Sequence, residues 1–463
     1  MPTLSWNETP NLDPNSPRSV LFHLGRIAIR SSLPGPAVRR FLESNRPSGR
    51  IVLFSIGKAA EPMAAAAYEI LESQISAGLI LTKYGHSSGN QFPKLEIIEA
   101  GHPVLDANSI TGGKRILELC ASLQPEDTAL VLLSGGGSAL LEVPAAGFSL
   151  EDLIVWNRRL LESGADIREI NTIRILLSEI KGGGLLSKIL PAKSITLILS
   201  DVLGDDLSKV ASGPMIPSEI DPNSILRIFE HYHLPSDSKI KSLLERKFKR
   251  SKETSSSAES GSSSLKPDQS SRDSSFSSEE SKSLSKRNSV HCIGNIRLAL
   301  EAVQNECKNR NIPVLFLTSS LACEAKEAGF FLGSIAKEAA LTAKSPLLIL
   351  CGGETTVTHD GKGKGGRNQE LALAFAKQIS GESEITFLSL ATDGSDGPTN
   401  AAGAIVDGTT WNEIAKTNDP NSALQNHNSY EALRSADALV FTGPTGTNVN
   451  DIQFLWITPN EKR

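Results

Sequence analysis

The sequence of 463 residues lacks a long apolar run and lacks the start of a secreted chain. No stretch of ~18 consecutive apolar residues occurs, so no transmembrane span is predicted. Residues 1–16 are polar, with two acidic residues and several prolines, and do not show the charged-then-apolar pattern of a signal peptide. These absences predict a soluble cytoplasmic protein.

The chain also lacks an excess of positive charge, and it lacks a closely spaced pair of cysteines. The formal net charge is -5 and the pI is about 6.0, which argues against nucleic-acid binding because such domains usually carry a basic surface. The five cysteines are odd in number and form no C-x-x-C pair. That pattern disfavours both a disulfide framework and a zinc site.

Several well-known catalytic patterns are absent as well. The serine- and glycine-rich run 134–138 matches neither the G-x-x-x-x-G-K-[ST] phosphate loop nor the G-x-G-x-x-G dinucleotide motif. His86, His102 and His359 lie near glycines but in no recognisable triad context, so we interpret them as turn or structural histidines. Cysteine and histidine nucleophile schemes therefore find little support.

What is present is an alternation of strand-like and helix-like segments in two blocks. The first block precedes residues 251–289, of which 18 out of 39 are serine, and the second block follows them. A segment so poor in apolar residues predicts a disordered linker, with a phosphorylated regulatory segment as the alternative. The length also favours two domains. We predict a domain over 15–248, a linker over 249–289 and a domain over 290–463.

The segment Gly352–Glu370 is the most informative part of the chain. It contains six glycines, two lysines and an arginine between an apolar run and an amphipathic run. Glycines let many backbone N–H groups approach one anion, so a bound phosphate is predicted. Arg367 stands where a helix is predicted to begin and suits a bidentate contact to that anion. Gly365, Gly366 and Asn368 flank it as candidate binding residues.

Two strand-to-helix turns in the first block carry the same kind of chemistry. Lys58 follows the apolar run 51–56, at the positive end of a predicted helix, where a lysine is unfavourable unless an anion lies nearby. A second apolar run, 128–133, ends in a loop that offers a nest of N–H donors and two hydroxyls. The loop residues are Ser134, Gly135, Gly136, Gly137 and Ser138. A solvated lysine and a glycine turn that only serves packing are the alternatives.

Three carboxylates also follow apolar runs. Asp201, Glu354 and Asp393 each come at or just after the end of a predicted strand. They could bind Mg²⁺ or orient a hydroxyl, and turn or capping chemistry is the alternative for Asp393. Ligands of open α/β sheets bind at the carboxyl ends of the strands. Phosphate cradle, metal ligands and two cations are together the parts that phosphoryl transfer requires.

Ordered motifs in both blocks resemble those of class II (MOFRL-type) glycerate 2-kinases. In the first block they are Gly57–Ala60, Thr82–His86, Gly101–Pro103, Leu133–Leu140 and Ser200–Pro214. In the second block they are Gly352–Thr355, Gly365–Glu370, Ala391–Pro398 and Thr442–Asp451. The resemblance covers nearly the whole chain apart from its first residues and the serine-rich segment.

The resemblance implies an α/β fold with a Rossmann-like N-terminal domain and a smaller α/β C-terminal (MOFRL) domain, with the active site in the cleft between them. It implies an ATP- and Mg²⁺-dependent kinase that phosphorylates the 2-hydroxyl of D-glycerate. The family's proposed catalytic lysine and arginine fall on Lys58 and Arg367. Asp201 is the expected further catalytic group, with Glu354 and Asp393 as additional metal ligands. A homodimer is a possible assembly, and neither nucleic acid nor membrane is an expected partner.

One segment departs from the family pattern. Two aliphatic residues, Ile175 and Leu176, stand where the family commonly has Lys-His, and Gly184 replaces a polar residue. If this segment contacts substrate, a weakened enzyme or one with an altered acceptor is the expected result. An NAD(P)-dependent hydroxypyruvate reductase, which would act on the same three-carbon skeleton, is the other alternative.

Overall fold

The computed structural model describes residues 13, 15–204, 206–218, 220–256 (backbone alone from 248), 287–359 and 363–459. Most of the predicted serine-rich linker, residues 257–286, lies outside this part, so its disorder stays a prediction. The chain forms two compact units. The parallel-sheet unit comprises Val38–Ser200 and Asp206–Ile293, and the mixed-sheet unit comprises Met1–Ala37, Asp201–Asp205 and Gly294–Arg463.

The described elements are twelve strands, sixteen α-helices and one 3-10 helix. The strands are β1 Ile51–Ile56, β2 Ile75–Lys83, β3 Leu95–Ala100, β4 Thr128–Leu133, β5 Lys193–Leu199, β6 Asn288–Gly294, β7 Val314–Leu321, β8 Leu347–Gly353, β9 Ile385–Ala391, β10 Gly403–Asp407, β11 Leu439–Val440 and β12 Asp451–Ile457. The helices are α1 Pro17–Ser31, α2 Pro34–Ser44, α3 Ala60–Leu71, α4 Ala107–Ala121, α5 Gly137–Leu140, α6 Leu150–Glu162, α7 Ile167–Leu176, α8 Gly184–Ile189, α9 Pro222–His231, α10 Ser238–Ser256, α11 Ile296–Asn309, α12 Ala325–Thr342, α13 Arg367–Gln378, α14 Thr410–Ala415, α15 Pro420–Gln425 and α16 Ser429–Ser435, and the 3-10 helix is Leu207–Ser212.

The first sheet has the strand order β3-β2-β1-β4-β5-β6. β1 pairs in parallel with both β2 and β4, and β4 pairs in parallel with β5. Every residue of β1 and β4 is buried, as expected for parallel strands covered on both faces. Chain order reverses between β1 and β4, so the loops that follow these two strands are neighbours at one edge of the sheet.

The helices of this unit begin at capping residues that the sequence supplies. α4, α6 and α7 each start with a capping box, formed by Asp106 with Ser109, Ser149 with Asp152, and Asp166 with Glu169. Such boxes satisfy the N–H groups that a helix start leaves without partners. α6, α7, α9 and α10 then share one apolar cluster that includes Trp156 and Leu176.

The second sheet is mixed, with the order β11-β10-β9-β12-β8-β7. β7 and β8 are parallel, whereas β12 is antiparallel to both of its neighbours, β8 and β9. All seven residues of β12 are buried. Its first residue, Asp451, therefore lies between Gly353 and Ala391, the last residues of β8 and β9.

α13 is the central helix of the mixed-sheet unit. It is buried from Asn368 to Ala376, and Phe375 stacks on Phe387 of β9 with ring centroids 4.0 Å apart. α12 crosses it closely at Gly329, where an added Cβ would lie 2.4 Å from the carbonyl oxygen of Leu371. Only glycine permits this approach of the two helices.

The α/β class and the presence of two domains are confirmed, with a parallel and a mixed sheet. The compact units are discontinuous in sequence, because α1 belongs to the mixed-sheet unit and β6 joins the parallel sheet. β6 is anchored there by Asn288, which accepts a hydrogen bond from the Ser194 hydroxyl at 2.7 Å. Among the described residues, no helix is long and apolar enough to cross a membrane.

Candidate active site

In the parallel-sheet unit, Lys58 lies directly against the serine-glycine loop Ser134–Ser138. The Lys58 N–H donates to the carbonyl oxygen of Gly135 at 2.9 Å, and the Ala59 N–H donates to Ser134 Oγ at 3.1 Å. Gly57 has a φ of 126°, and a Cβ there would lie 2.2 Å from Ser134 Oγ. Only glycine permits so close a contact at residue 57. Gly57 therefore lets the loop after β1 pack directly against the loop after β4.

The side chain of Lys58 runs across Gly136. A Cβ at Gly136, whose φ is 87°, would lie 3.1 Å from Lys58 Cγ and 3.2 Å from His102 Cδ2. Burial and the nearby charges of Lys58 and Lys83 lower the pKa of His102 to about 4. A neutral imidazole therefore stands beside the lysine at neutral pH. Sequence reasoning had treated His102 as structural and had not placed it at this site.

The far end of the loop rests on a tightly turned segment. Ser138 Oγ and Ser212 Oγ lie 2.7 Å apart, and a Cβ at Gly137 would lie 2.7 Å from the Cβ of Ala211. Ala211, Ser212 and Gly213 have φ values of 53°, 59° and 64°. Non-glycine residues adopt this conformation at a cost, and such residues concentrate at functional sites.

In the mixed-sheet unit, Arg367 binds two carboxylates at the start of α13. Its Nε and Nη2 donate to Asp451 Oδ2 and Oδ1 at 2.6 and 3.2 Å, and its Nη1 donates to Glu354 Oε1 at 2.6 Å. The side chain of Asp451 is 1% exposed and that of Arg367 is 32% exposed. Bidentate pairing of this kind fixes the plane of the guanidinium.

The electrostatics of this cluster follow from its burial. Burial raises the pKa of Asp451 to about 7, although the charge and hydrogen bonds of Arg367 oppose the change. Burial by itself lowers the pKa of Arg367, but Asp451 and Glu354 outweigh it and raise the pKa above its usual range. A cation that is paired in this way keeps its charge.

Asp396 organises the start of α13. It accepts hydrogen bonds from the N–H groups of Asn368 and Gln369 at 3.1 and 2.9 Å, which caps the helix. The amide of Asn368 is turned inward, where its oxygen accepts from Ser389 Oγ at 2.6 Å. A Cβ at Gly366 would lie 2.2 Å from Asp396 Cγ, so these predicted binding residues shape the helix start.

Gly365 is held in a similar way. A Cβ at this residue would lie 2.1 Å from Ser429 Oγ, at the start of α16. The residue before it, Lys364, accepts from the Tyr430 N–H at 2.9 Å. Part of the glycine-rich segment, residues 360–362, lies outside the described residues.

The three predicted metal ligands have different surroundings. Glu354 is bound to Arg367, and Asp393 Oδ1 accepts from the N–H of Ser395 at 3.0 Å in a local turn. The carbonyl oxygen of Asp201 accepts from Asn450 Nδ2 at 2.8 Å. Within the described ranges, no group of three or more His, Cys, Asp or Glu side chains could hold a metal ion. The three-carboxylate metal set stays a prediction.

Asp201 and Asp393 are linked through Asn450. The carbonyl oxygen of Asn450 accepts from both the N–H and the hydroxyl of Thr392, the residue before Asp393. Asn450 adopts a φ of 69° and precedes Asp451 directly. One short segment thus joins the two aspartates to the arginine cluster.

Asp451 is the functional candidate that sequence reasoning missed. The prediction looked for side chains at the carboxyl ends of strands, whereas Asp451 is at the amino end of an antiparallel strand. Its signal was the polar motif Thr442–Asp451, which ends where the buried run of β12 begins. A strand that begins at the end of this motif places Asp451 at the same edge of the sheet as the last residues of β8 and β9.

The residues that depart from the family pattern, Ile175, Leu176 and Gly184, serve packing in this protein. Leu176 is fully buried in the apolar cluster of α6, α7, α9 and α10, and Ile175 Cγ2 lies 2.5 Å from where a Cβ of Gly182 would stand. At Gly184 a Cβ would lie 2.3 Å from the carbonyl oxygen of Glu179. Lys181, between these residues in the chain, is buried in an ion pair with Glu142.

Comparison with known proteins identifies related chains over nearly the full length. Residues 20–245 match the family model described as a domain of unknown function, DUF4147, and residues 347–451 match the MOFRL family. D-glycerate 2-kinase of Thermotoga maritima is 40% identical, over 95% of this chain and 98% of that protein. A crystal structure of glycerate kinase from Thermotoga maritima aligns with a TM-score of 0.85 and 39% identity, covering 96% of this chain and 100% of that one.

A further relative carries a different name. A protein of Agrobacterium vitis, to which hydroxypyruvate reductase activity is attributed only provisionally, is 34% identical over 98% of this chain and 96% of its own length. The identity is lower than that of the Thermotoga maritima kinase.

Proposed function

Because the chain belongs to the MOFRL-type glycerate 2-kinase family, we propose that it transfers a phosphoryl group from ATP to the 2-hydroxyl of D-glycerate, giving 2-phosphoglycerate. The observation that carries the proposal is the position of Lys58, which stands in the loop after β1 and extends its side chain across Gly136 of the loop after β4. The strand order β3-β2-β1-β4-β5-β6 supports a Rossmann-like domain, in which ligands bind where the strand order reverses.

Lys58 is proposed to stabilise the negative charge of the transferring phosphoryl group. The hydrogen bond from the Lys58 N–H to Gly135 holds the backbone of Lys58 in place. Its side chain lies over Gly136, where the absence of a Cβ leaves room for a substrate atom. The neighbouring His102 is neutral at pH 7 and therefore does not add a competing charge. Preorganised charge of this kind is worth several kcal/mol of barrier, about 2.7–4 kcal/mol for a single donor.

Arg367 is proposed to supply the second positive charge. Asp451 and Glu354 hold three of its nitrogens, so its orientation is set before substrate binds. An arginine with a fixed guanidinium needs no reorganisation when charge develops. The location of the active site in a cleft between the two domains stays a prediction.

Asp201 and Asp393 are the proposed Mg²⁺ ligands of this chain. Mg²⁺ usually binds one or two carboxylates together with substrate phosphates and water. Glu354 is committed to Arg367, which leaves Asp201 and Asp393, joined through Asn450, as the proposed ligands. When bound, the ion would neutralise charge on the phosphates of ATP.

ATP phosphates are proposed to lie along the Ser134–Ser138 loop. Three glycines there permit a close approach of ligand to backbone, and the hydroxyls of Ser134 and Ser138 are held by Ala59 and Ser212. A homodimer and a cytoplasmic location stay predictions.

The test is a coupled assay on the purified protein with ATP, Mg²⁺ and D-glycerate. Enolase consumes 2-phosphoglycerate directly, whereas 3-phosphoglycerate first requires a mutase. Signal with enolase alone supports the proposal. A signal that appears only with mutase would mean a 3-kinase, and no phosphorylation of glycerate would contradict the proposal.

The reductase is the second candidate, favoured by the name of the Agrobacterium vitis relative. Residues 361–366 match G-x-G-x-x-G, but the dinucleotide motif directly follows a strand, whereas β8 already ends at Gly353, and this speaks against the reductase. Oxidation of NADH or NADPH on addition of hydroxypyruvate would support this candidate.

We propose that the residues Ile175, Leu176 and Gly184 leave the kinase activity intact. Leu176 fills the apolar cluster, and a Cβ at Gly184 would collide with the backbone of Glu179. The assay of the wild-type protein tests this point. Phosphorylation of another acceptor in place of D-glycerate would show that the segment changed substrate choice.

A further inference from the structure

A polar cavity lies at the opposite edge of the parallel sheet from Lys58. It has a volume of about 330 Å³ and is found at the starts of β4, β5 and β6. Thr128 and the buried Ser194 line it, and three cationic side chains, those of Arg46, Lys193 and Arg287, surround it. Parallel strands place this edge a full strand length from the loops of the candidate active site.

The charge of this cavity is unusual for the chain. None of the residues that line it is acidic, although the protein has 52 acidic and 47 basic residues in total. The carboxylate of Asp127, next to Thr128 in sequence, is bound to Arg50 at 2.7 Å. The cavity therefore concentrates positive charge that its own lining does not balance.

Neutral atoms hold the cationic groups in place. Arg46 donates to the Ile70 carbonyl oxygen at 2.8 Å, and Arg287 donates to the Pro191 carbonyl oxygen at 2.6 Å. These contacts orient the two guanidinium groups without neutralising them. The two side chains then lose less conformational entropy when a ligand binds, which favours affinity.

From this arrangement we propose that the cavity is a binding site for a phosphate monoester dianion. Arginine forks match phosphate oxygens, and a lysine adds a mobile third charge. The neighbouring hydroxyl and amide groups, Ser194 and Asn288, are already hydrogen-bonded to each other and give the cavity a rigid polar wall. The volume is at the lower end of ligand pockets, which suits a small anion.

Two sources could supply this chemistry. One is a small phosphorylated metabolite. The other is a phosphoserine of the chain itself, because Arg287 lies near the end of the serine-rich segment 251–289. Either ligand would connect the first residue of β5, Lys193, with the segments that precede β1 and β6, to which Arg46 and Arg287 belong.

Thermal unfolding in inorganic phosphate, at an ionic strength held constant with chloride, tests the site. A ligand that binds the native state raises Tm. We expect phosphate to raise the Tm of the wild type and expect the shift to fall by at least half in Lys193→Gln/Arg287→Gln. Lys114→Gln/Lys241→Gln removes two exposed lysines of the same unit that do not line the cavity, and should keep the full shift.

Lys193→Gln by itself guards against a folding defect, because Lys193 is exposed and this variant should fold normally. It should show a smaller phosphate shift than the wild type at an unchanged Tm without phosphate. Equal shifts in all four proteins would overturn the proposal, since phosphate would then act elsewhere, and so would the absence of any shift.

Calorimetric titration then separates the sources. One arm uses 3-phosphoglycerate, and the other uses a synthetic peptide of residues 276–286 phosphorylated on Ser281. A ligand that binds at this site should bind Lys193→Gln/Arg287→Gln at least tenfold more weakly than it binds the wild type. Tighter binding of the ester identifies a metabolite site, and tighter binding of the peptide identifies a site for the chain's own phosphoserine. Unchanged affinity of the variant for both ligands would overturn the proposal.

Discussion

The two candidate catalytic edges of this protein are built by different physical means. In the parallel-sheet unit, backbone fixes the site, because glycines at 57 and 137 permit contacts that a Cβ would block, and a Cβ at Gly136 would crowd Lys58 and His102. In the mixed-sheet unit, side-chain charge fixes the site, because Arg367 is held between Asp451 and Glu354. The first edge should therefore respond to small changes in volume, and the second should respond to changes in charge.

The largest effect is expected for Arg367→Met. The substitution removes a proposed catalytic charge and leaves Asp451, which is 1% exposed, buried without a cation. We expect kcat/KM to fall about 10³-fold and the free energy of unfolding to fall by about 3 kcal/mol. Steady-state kinetics and urea denaturation measure the two losses.

Lys58→Met is the matched variant at the other edge. Its side chain crosses a glycine and is partly exposed, so we expect a comparable loss of kcat/KM and a change in stability within about 0.5 kcal/mol. If Lys58→Met destabilised the protein as much as Arg367→Met does, the contrast between the two edges would be wrong.

A second large effect on stability is expected for Lys181→Met. Lys181 and Glu142 are each 5% exposed and form an ion pair. Removing one partner of a buried pair typically costs about 3–5 kcal/mol, whereas removing both costs much less. Urea denaturation of Lys181→Met, Glu142→Gln and the double variant should give a double variant more stable than Lys181→Met. Additive losses would contradict this account of the pair.

Gly136→Ala tests the role of volume at the Lys58 edge. Gly147 is the matched control, because it has a similar φ of 90° with nothing within 4 Å, whereas a Cβ at Gly136 meets Lys58 and His102. Both alanine variants should lose about 1–2 kcal/mol of stability from the left-handed conformation. Only Gly136→Ala should lower kcat/KM, by roughly tenfold or more. Equal kinetics in the two variants would mean that the crowding at Gly136 does not matter.

The smallest effect concerns the pH dependence of stability. The pKa of His102 is lowered from 6.5 to about 4, first by burial and then by Lys58. The unfolded chain then binds more protons than the native protein between these values, so stability is lost as the pH falls from 6.5 towards 4. His102→Gln should remove on the order of 1 kcal/mol of this loss.

The same histidine reports on Lys58. Because the charge of Lys58 helps to lower the pKa of His102, Lys58→Met should raise that pKa in an NMR titration. An unchanged pKa would place the two side chains farther apart than the structure does.

The sequence predicted much of the parallel-sheet unit because its signals are local. The apolar runs of β1 and β4 each end in glycines, and a parallel sheet brings such ends together. Asp451 could not be found by the same rule, since the direction of β12 depends on pairing with β8 and β9. The role of Lys181 was also beyond the sequence, because its partner Glu142 lies 39 residues away in the chain.

The most direct test of the whole account is the identity of the product. NMR of a reaction that contains the protein, ATP, Mg²⁺ and D-glycerate shows which proton of glycerate becomes coupled to phosphorus. The account predicts phosphorus coupling to the proton on C2, with no coupling to the C3 protons. Coupling at C3, or an unmodified glycerate spectrum after prolonged incubation with folded protein, would contradict it.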